Sequence, residues 1–345
     1  MTNPTVGVII VSFNSGDVVL DCLESLLAAQ DPDLRIVVVD NNSPDDTVQV
    51  MRNWADGTTQ YTAPTDSPFP LSPAPKPINL VEGRPDLAPD RAADVVLLHA
   101  GENGGYAGGV NVGQAYLAAF PEIDHFWILN PDSMVPPASV AALKAQLASG
   151  ATYGMLSGRV NYFHQPDMIQ VDGGSINFRT GVTDCINLGQ PHPKTPLPAP
   201  GELHFVTGAN MVASRAFCEK AGPMAEDYFL YYEEVDWALR RGDLPLVCCD
   251  GFLVYHRAGT AIGSPTLSRI ASPFSHYFKY RSRMLFLRRF RPLSLPIAYA
   301  YALAKALQIT LKGYYAEAWA LIRAINGMGP PKSVKAILKQ SAPES

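Results

Sequence analysis

HFWILNPDSMV, residues 125–135, is the stretch that decides how the chain reads. Phe126-Trp127-Ile128-Leu129 is a continuous apolar run of the kind buried on both faces of a sheet. Pro131 has no N–H to give to a ladder, so the strand is expected to stop there and a loop to begin. In an extended segment residues two apart point the same way, which sends Asn130 and Asp132 out together. The carboxyl edge of an open α/β sheet is the usual place for a ligand. Two oxygen-bearing side chains there suit a divalent cation held against phosphates. An Asx-type turn after a strand accounts for the same residues without a ligand, so the rest of the chain has to weigh in.

Upstream, residues 6–11 form a short β-branched run. Residues 17–29 have helical spacing, with Ser15 or Asp17 as the expected cap. A second apolar strand, 34–39, ends at Asp40-Asn41-Asn42-Ser43, and 45–54 reads as a second helix. A third strand follows at 95–99, then the glycine-rich turn ENGGYAGG (102–109) and a helix to about Ala119. Another helix is expected from Pro137 to Ala148. Strand–helix units of this length predict a parallel sheet with right-handed crossovers. Residues 62–90 are crowded with proline and read as an irregular insertion.

Downstream the pattern shifts to short alternating strands (153–203), with a second proline-rich loop at 191–201. Residues 205–210 are expected to lead into a helix around Arg215. Residues 233–241 read as an amphipathic helix stopped by Gly242. Residues 246–254 read as a strand ending at Tyr255-His256, and everything beyond Pro265 as helical.

The bulk properties narrow the class. The chain has 345 residues, a net charge of −5 and 47% hydrophobic residues. That is globular composition, without the basic excess of a nucleic-acid binder. Cys22, Cys185, Cys218, Cys248 and Cys249 show no paired metal spacing and read as reduced thiols of a cytosolic protein. The N-terminus lacks a basic region ahead of its apolar run, so no secretory signal is expected. The most apolar stretch, 293–311, is interrupted by Pro296, Lys305 and Gln308; it can lie on a membrane but should not cross one. Ahead of it, residues 276–291 interleave basic and aromatic side chains. Three readings stay open for this segment: an interfacial helix on anionic lipid, a basic face packed on the catalytic domain, or an oligomer contact.

Four clusters carry candidate chemistry. Asp40, ending the second strand, can accept hydrogen bonds from a base or ribose, or simply close a turn. The glycines of 103–111 let backbone N–H groups approach an anion near a helix start. FLYYEEVDW (229–237) sets Glu233, Glu234 and Asp236 among aromatics, where an apolar wall raises a carboxyl pKa toward that of a base. Asp236 can pair with Arg240 at i+4. His256, ending a strand, can join Asp132 at the same sheet edge.

Taken together, VIIVSFN, VVVDNNS, ENGGYAGGVNVG, ILNPDS, TGANM, FLYYEEVDWALR and VYHRAG resemble, in order and spacing, the inverting family 2 glycosyltransferases. The likeness is to rhamnosyltransferase-like and galactofuranosyltransferase-like members, and it spans roughly residues 5–260. It implies an α/β fold of GT-A type: a Rossmann-like nucleotide-binding half, a mixed-sheet acceptor half and a C-terminal helical extension. The expected division is 1–262 and 263–345.

The resemblance further implies transfer of a sugar from a nucleotide-diphosphate donor (dTDP-rhamnose or another NDP-hexose) to a hydroxyl of a surface polysaccharide or lipid-linked glycan. The enzyme would be cytoplasmic, with peripheral contact to the inner membrane face and oligomerisation through the C-terminal helices as further expectations. Carried over by position, Ser12, Phe13, Asn14, Asp40 and Asn42 line the nucleoside pocket, and Asn103, Gly105 and Asn111 continue it. Gly208 and Asn210 of TGANM are also placed with the donor. Asn130 and Asp132 stand at the family's metal motif, His256 at its later histidine ligand, and Mg²⁺ or Mn²⁺ is the implied ion. Glu234 matches the general base, Glu233 is the alternative and Asp236 a structural neighbour. The chain departs from the pattern twice: Asn130 replaces an Asp, and Glu234 replaces the usual Asp. A sugar-phosphate nucleotidyltransferase and an inactive glycan-binding or nucleotide-sugar-binding protein share parts of the pattern. The first wants a basic glycine-rich loop after the first strand, which is absent here; the second is opposed by Asp132, Glu234 and His256 together.

Overall fold

β1 (Thr5–Ser12), α1 (Val19–Leu27) and β2 (Leu34–Asp40) open the chain, both strands buried almost throughout as two-sided apolar runs require. The computed structural model describes residues 4–199, 201–257 and 270–340. In the nucleotide-side half, α2 (Thr47–Ala55), β3 (Leu80–Gly83), β4 (Val95–His99), α3 (Gly105–Ala118), β5 (Ile123–Leu129), β6 (Ser133–Met134) and α4 (Pro137–Ala148) follow. The second half holds β7 (Met155–Tyr162), β8 (Gln165–Val171), β9 (Gly174–Asn177), β10 (Val182–Cys185), β11 (Asn210–Ser214), α5 (Arg215–Ala221), α6 (Glu233–Leu239) and β12 (Leu246–His256). Four helices follow: α7 (Pro273–Phe290), α8 (Leu295–Leu311), α9 (Tyr315–Ile325) and α10 (Lys332–Gln340).

One mixed sheet of ten strands runs in the order β3-β4-β2-β1-β5-β11-β7-β12-β6, with β8 also paired to β7; β9 and β10 form a separate ribbon. The first five strands are parallel, as the strand–helix alternation predicts. β11 then runs antiparallel to both β5 and β7 and joins the halves. Strand order reverses about β1, with β2 and β4 added on one side and β5 on the other, so the carboxyl ends of β1 and β5 flank a topological switch point, the crevice where such sheets take ligands.

Residues of β1 alternate between two apolar layers. Ile9 and Val11 pack with α3 and the C-terminal helices, while Val8 and Ile10 pack with α1, α2 and α4. The glycines of α3 serve this packing as well as any ligand: a Cβ at Gly113 would stand 2.6 Å from Ile9 Cγ2.

Three segments depart from expectation. The proline-rich insertion contains the edge strand β3, four residues long and too short to mark itself by period. It is anchored by buried Glu24, which accepts from the Trp54 indole (2.6 Å), the Ala74 N–H (2.7 Å) and Lys76 (2.7 Å). Residues 210–214 form β11 ahead of the helix at Arg215. Of the readings open for the basic–aromatic run, the structure takes packing on the catalytic half. Phe274, Tyr277, Phe278, Tyr280 and Phe286 of α7 are buried, and Arg283 is 3% exposed. The 262/263 boundary lies outside the described residues.

Candidate active site

The register of the sheet assembles the first part of the site. Ser12 pairs with Asp40 across β1 and β2, and Ile10 pairs with Leu129 one residue short of Asn130. Asp40 is buried and both its oxygens accept from the Ser43 N–H (3.2 and 3.3 Å), so it closes the turn after β2. Asn14 and Asn42 hold left-handed backbone (φ 52° and 60°), a conformation Asn tolerates, and the Asn14 N–H donates to Ser43 Oγ (3.1 Å). Phe13 lies half-buried beside them, its N–H on Ser15 Oγ at 3.3 Å. The Ser12 hydroxyl is buried without a hydrogen-bond partner among the described residues. Asn41, not singled out from sequence, donates to the Gly105 carbonyl (2.8 Å) and ties this turn to the start of α3. Asn103 accepts from the Gly105 N–H at 3.0 Å.

Gly105 has φ 74°, and a Cβ there would strike the Phe229 carbonyl, which instead accepts from the Tyr106 N–H (3.1 Å). Gly108 meets nothing within 4 Å. Gly105→Ala is therefore expected to destabilise the fold by more than about 1 kcal/mol. Gly108→Ala, on an open helix face, should be neutral or stabilising by about 0.5–1 kcal/mol. Urea unfolding of the two variants checks the contrast, and equal effects would count against the close approach.

Asn130, Asp132 and His256 do come together. β12 pairs with β6 so that His256 lies opposite Ser133, and the Arg257 N–H donates to the Asp132 carbonyl (3.0 Å). His256 Nε2 lies 3.0 Å from Asp132 Oδ1 and 3.2 Å from Asn130 Nδ2, and its Nδ1 lies 3.0 Å from Gln170 Oε1. Assigning the Nδ1 proton to Gln170 leaves the Nε2 lone pair facing the carboxylate oxygen. A carboxylate, an imidazole and an amide oxygen make a donor set that fits Mn²⁺ or Mg²⁺ when phosphate oxygens and water complete the shell. Among the described residues no group of three or more His, Cys, Asp or Glu is placed to hold an ion, so these side chains form a partial set.

The acidic cluster is aimed by strained backbone. Phe229, Tyr231 and Tyr232 all have positive φ (66°, 66° and 71°), a conformation costing non-glycine residues about 1–3 kcal/mol each and found at functional sites. α7 holds them there. Ser282 donates to the carbonyls of Leu230 (2.9 Å) and Tyr228 (3.3 Å), Tyr231 donates to Ser275 (3.0 Å), and Phe229 stacks on Phe278 at 4.8 Å. The chain then enters α6 with its three carboxylates in different surroundings.

Asp236 is fully buried and bonded to Tyr228 (2.9 Å), Arg240 (2.7 Å) and Arg289; the expected i+4 pair is present. Glu233 is buried with one oxygen lacking a partner among the described residues. Burial, then the neighbouring Glu234 charge, pushes its pKa well above the ordinary value. Glu234 is half-buried, and desolvation pushes its pKa up to about 7 against backbone N–H groups at the start of α6 and, after them, Lys279 on α7. Lys279 is a cation acting on Glu234 from outside its own helix. It was legible only as one member of the basic run. Tyr106 sits against both glutamates, whose charges together with burial raise its own pKa, and its hydroxyl donates to the Gly208 carbonyl. Gly105, Gly208 and the acids thus share one neighbourhood.

Two expected donor-site residues are engaged elsewhere. Asn111 clamps α3 to the Met224 backbone in both directions (2.9 Å each) and to Glu226 (2.8 Å). Asn210 is buried with its oxygen on the Trp127 indole (2.8 Å).

Comparisons with known proteins bear on the family and the fold. The glycosyl transferase family 2 model matches residues 7–63. The low-salt glycan biosynthesis hexosyltransferase Agl10 of Haloferax volcanii is 24% identical over 203 residues, 56% of this chain and 60% of that protein. The chain thus matches about 60% of the length of this curated relative. Among solved structures, GalNAc-T7 with UDP, GalNAc and Mn²⁺ superposes with a TM-score of 0.52 at 13% identity, over 82% of this chain and 48% of that one. S. aureus TarS gives 0.50 at 14%, over 96% and 50%. Such identities speak for the fold alone, and the fold is GT-A. The family model, the curated relative and the fold together support a family 2 glycosyltransferase.

Proposed function

We propose that this protein is a glycosyltransferase that moves a sugar from a nucleotide-diphosphate donor to a hydroxyl acceptor by single displacement with inversion. What supports this reading is that the 207–210 loop links two groups: its Ala209 carbonyl accepts from the Asn130 N–H at 3.2 Å, and its Gly208 carbonyl accepts from the hydroxyl of Tyr106, which feels the charges of Glu233 and Glu234. One group is the Asn130–Asp132–His256 donor set at the carboxyl end of β5; the other is Glu234, held half-buried with its pKa near neutrality.

In this reading the turn after β2 (Asp40, Asn42) and Ser12, Phe13 and Asn14 form the nucleoside pocket, with Asn103 and Gly105 beside it. Asn111 and Asn210 act through the backbone and indole they hold rather than on the donor. Asp132 and His256, with Asn130, would hold a divalent ion, and Mn²⁺ suits the imidazole better than Mg²⁺ does. When bound, the ion offsets the charge of the departing diphosphate. Glu234 takes the acceptor hydroxyl proton as the oxygen attacks the anomeric carbon. Among the described residues of the α6 cluster no second carboxylate is poised as a nucleophile, because Glu233 is buried and Asp236 is bonded to Tyr228, Arg240 and Arg289; in this reading one displacement inverts the centre.

GalNAc-T7 with UDP, GalNAc and Mn²⁺, which shares the fold, supports a nucleotide-sugar donor and a divalent ion. The motif resemblance supports dTDP-rhamnose or a similar hexose donor, a cell-envelope glycan acceptor and a catalytic domain of 1–262 with helices after it; the five free cysteines support a cytoplasmic enzyme. A thermal-shift screen of dTDP-, UDP- and GDP-sugars with Mn²⁺ tests the donor. A specific donor at a hundred times its Kd should stabilise the fold by about 2.7 kcal/mol, and no response to any of them would count against the reading.

A further inference from the structure

The C-terminal helices show an inverted amphipathic pattern. On α8 the buried residues are Ala298, Ala302, Ala306 and Ile309, a seam of small side chains packed inward. Leu293 just ahead of the helix, then Ile297, Leu307 and Leu311 on it, are 94%, 54%, 60% and 78% exposed. A helix at a water interface does the opposite, burying leucine and exposing alanine. Nor is the pattern scattered: of the twelve large apolar side chains markedly exposed among the described residues, Leu188 is the exception and eleven lie between Leu293 and Ile337. On α8 the exposed apolar side chains fall on one face, opposite the alanine seam, and an exposed apolar stripe of this kind marks an interaction surface.

Charge says what covers it. Residues 291–340 carry seven Lys and Arg and one acid, Glu317, so the segment is strongly positive in a chain whose net charge is −5. Exposed Tyr314, Tyr315 and Trp319 stand at one end of the stripe, side chains that favour a membrane–water boundary. None of the helices is long and apolar enough to cross a membrane among the described residues. At 17 residues, α8 can lie about 25 Å along a surface.

We infer that the outer face of α8, with the adjoining turn into α9, is a docking platform for an anionic lipid surface, α8 lying in the interfacial plane. The basic–aromatic run on α7 is a separate structural element. It fixes the platform to the site, since α7 packs against α9 on one side and holds the 228–232 loop on the other. The platform stands apart from the catalytic reading, so it is tested without turnover.

The full-length protein is sedimented with vesicles of phosphatidylcholine alone or with 30% phosphatidylglycerol, at low and high salt. Wild type should bind the anionic vesicles and be released by salt. The triple variant Ile297→Glu, Leu307→Glu, Leu311→Glu should lose binding about tenfold or more, and Leu188→Glu should keep it. Because the three positions are exposed, circular dichroism should show an unchanged fold. Unaltered vesicle binding by the triple variant would overturn the inference. So would a concentration-dependent dimer that the same changes dissolve while no vesicle binds, which would assign the face to a second copy of the chain.

Discussion

Glu234→Gln is expected to keep donor binding and lower turnover by about two to four orders of magnitude, the usual weight of a positioned general base. The charge on Glu234 is shaped from two sides. Desolvation pushes its pKa up to about 7, while backbone N–H groups at the start of α6 and, after them, Lys279 pull the other way. The ionised form is the base, so the rate should climb as pH rises through about 7 and level off above it. Stability runs in the opposite sense. A folded pKa raised above the ordinary 4.5 means the fold favours the proton. The stabilisation is complete below 4.5 and disappears as pH rises through about 7. Glu234→Gln should remove both slopes together, a double signature that a merely structural residue would not produce. Glu233→Gln should cost less turnover, because its carboxyl is buried and kept protonated. Asp236→Asn should chiefly lower the melting temperature, since it breaks the contacts to Arg240 and Arg289 that pin α6.

Asp132→Ala is the second large effect. Activity should need a divalent cation, and the variant should lose about a hundredfold or more, the counterpart of several kcal/mol of charge stabilisation. Full activity of the wild type in excess chelator would sink the metal assignment. Asn130→Asp should tighten metal affinity, because it adds a second carboxylate 3.2 Å from the imidazole in place of the amide. An unchanged affinity would put residue 130 outside the coordination sphere.

The parallel half of the fold was legible in the sequence because the central runs of β1, β2 and β5 (6–11, 36–39 and 126–129) are buried on both faces and therefore apolar. β11 was not. Asn-Met-Val-Ala-Ser is five residues long, and its identity comes from its neighbours β5 and β7. The site divides the same way. Asp132 and His256 announced themselves by standing at strand ends, and β12–β6 pairing then brought them to 3.0 Å. Asn111 and Asn210 matched a motif whose spacing cannot tell a ligand contact from a clamp on Met224 or a bond to Trp127. Lys279 and the strained turn at 229–232 are products of long-range packing between α7 and the loop before α6. No local pattern encodes that meeting, so the basic–aromatic run carried a surface signal while its side chains were bound for the interior.

The central claim is that Glu234 and the Asp132–His256 set act on one nucleotide sugar. It is met most directly by measuring nucleoside diphosphate release from the donor that binds, with Mn²⁺, across pH 5 to 9. The account predicts release by the wild type that rises through pH about 7, vanishes with chelator, and falls by about two to four orders in Glu234→Gln. Release that is equal in the wild type and Glu234→Gln and indifferent to chelator would contradict it.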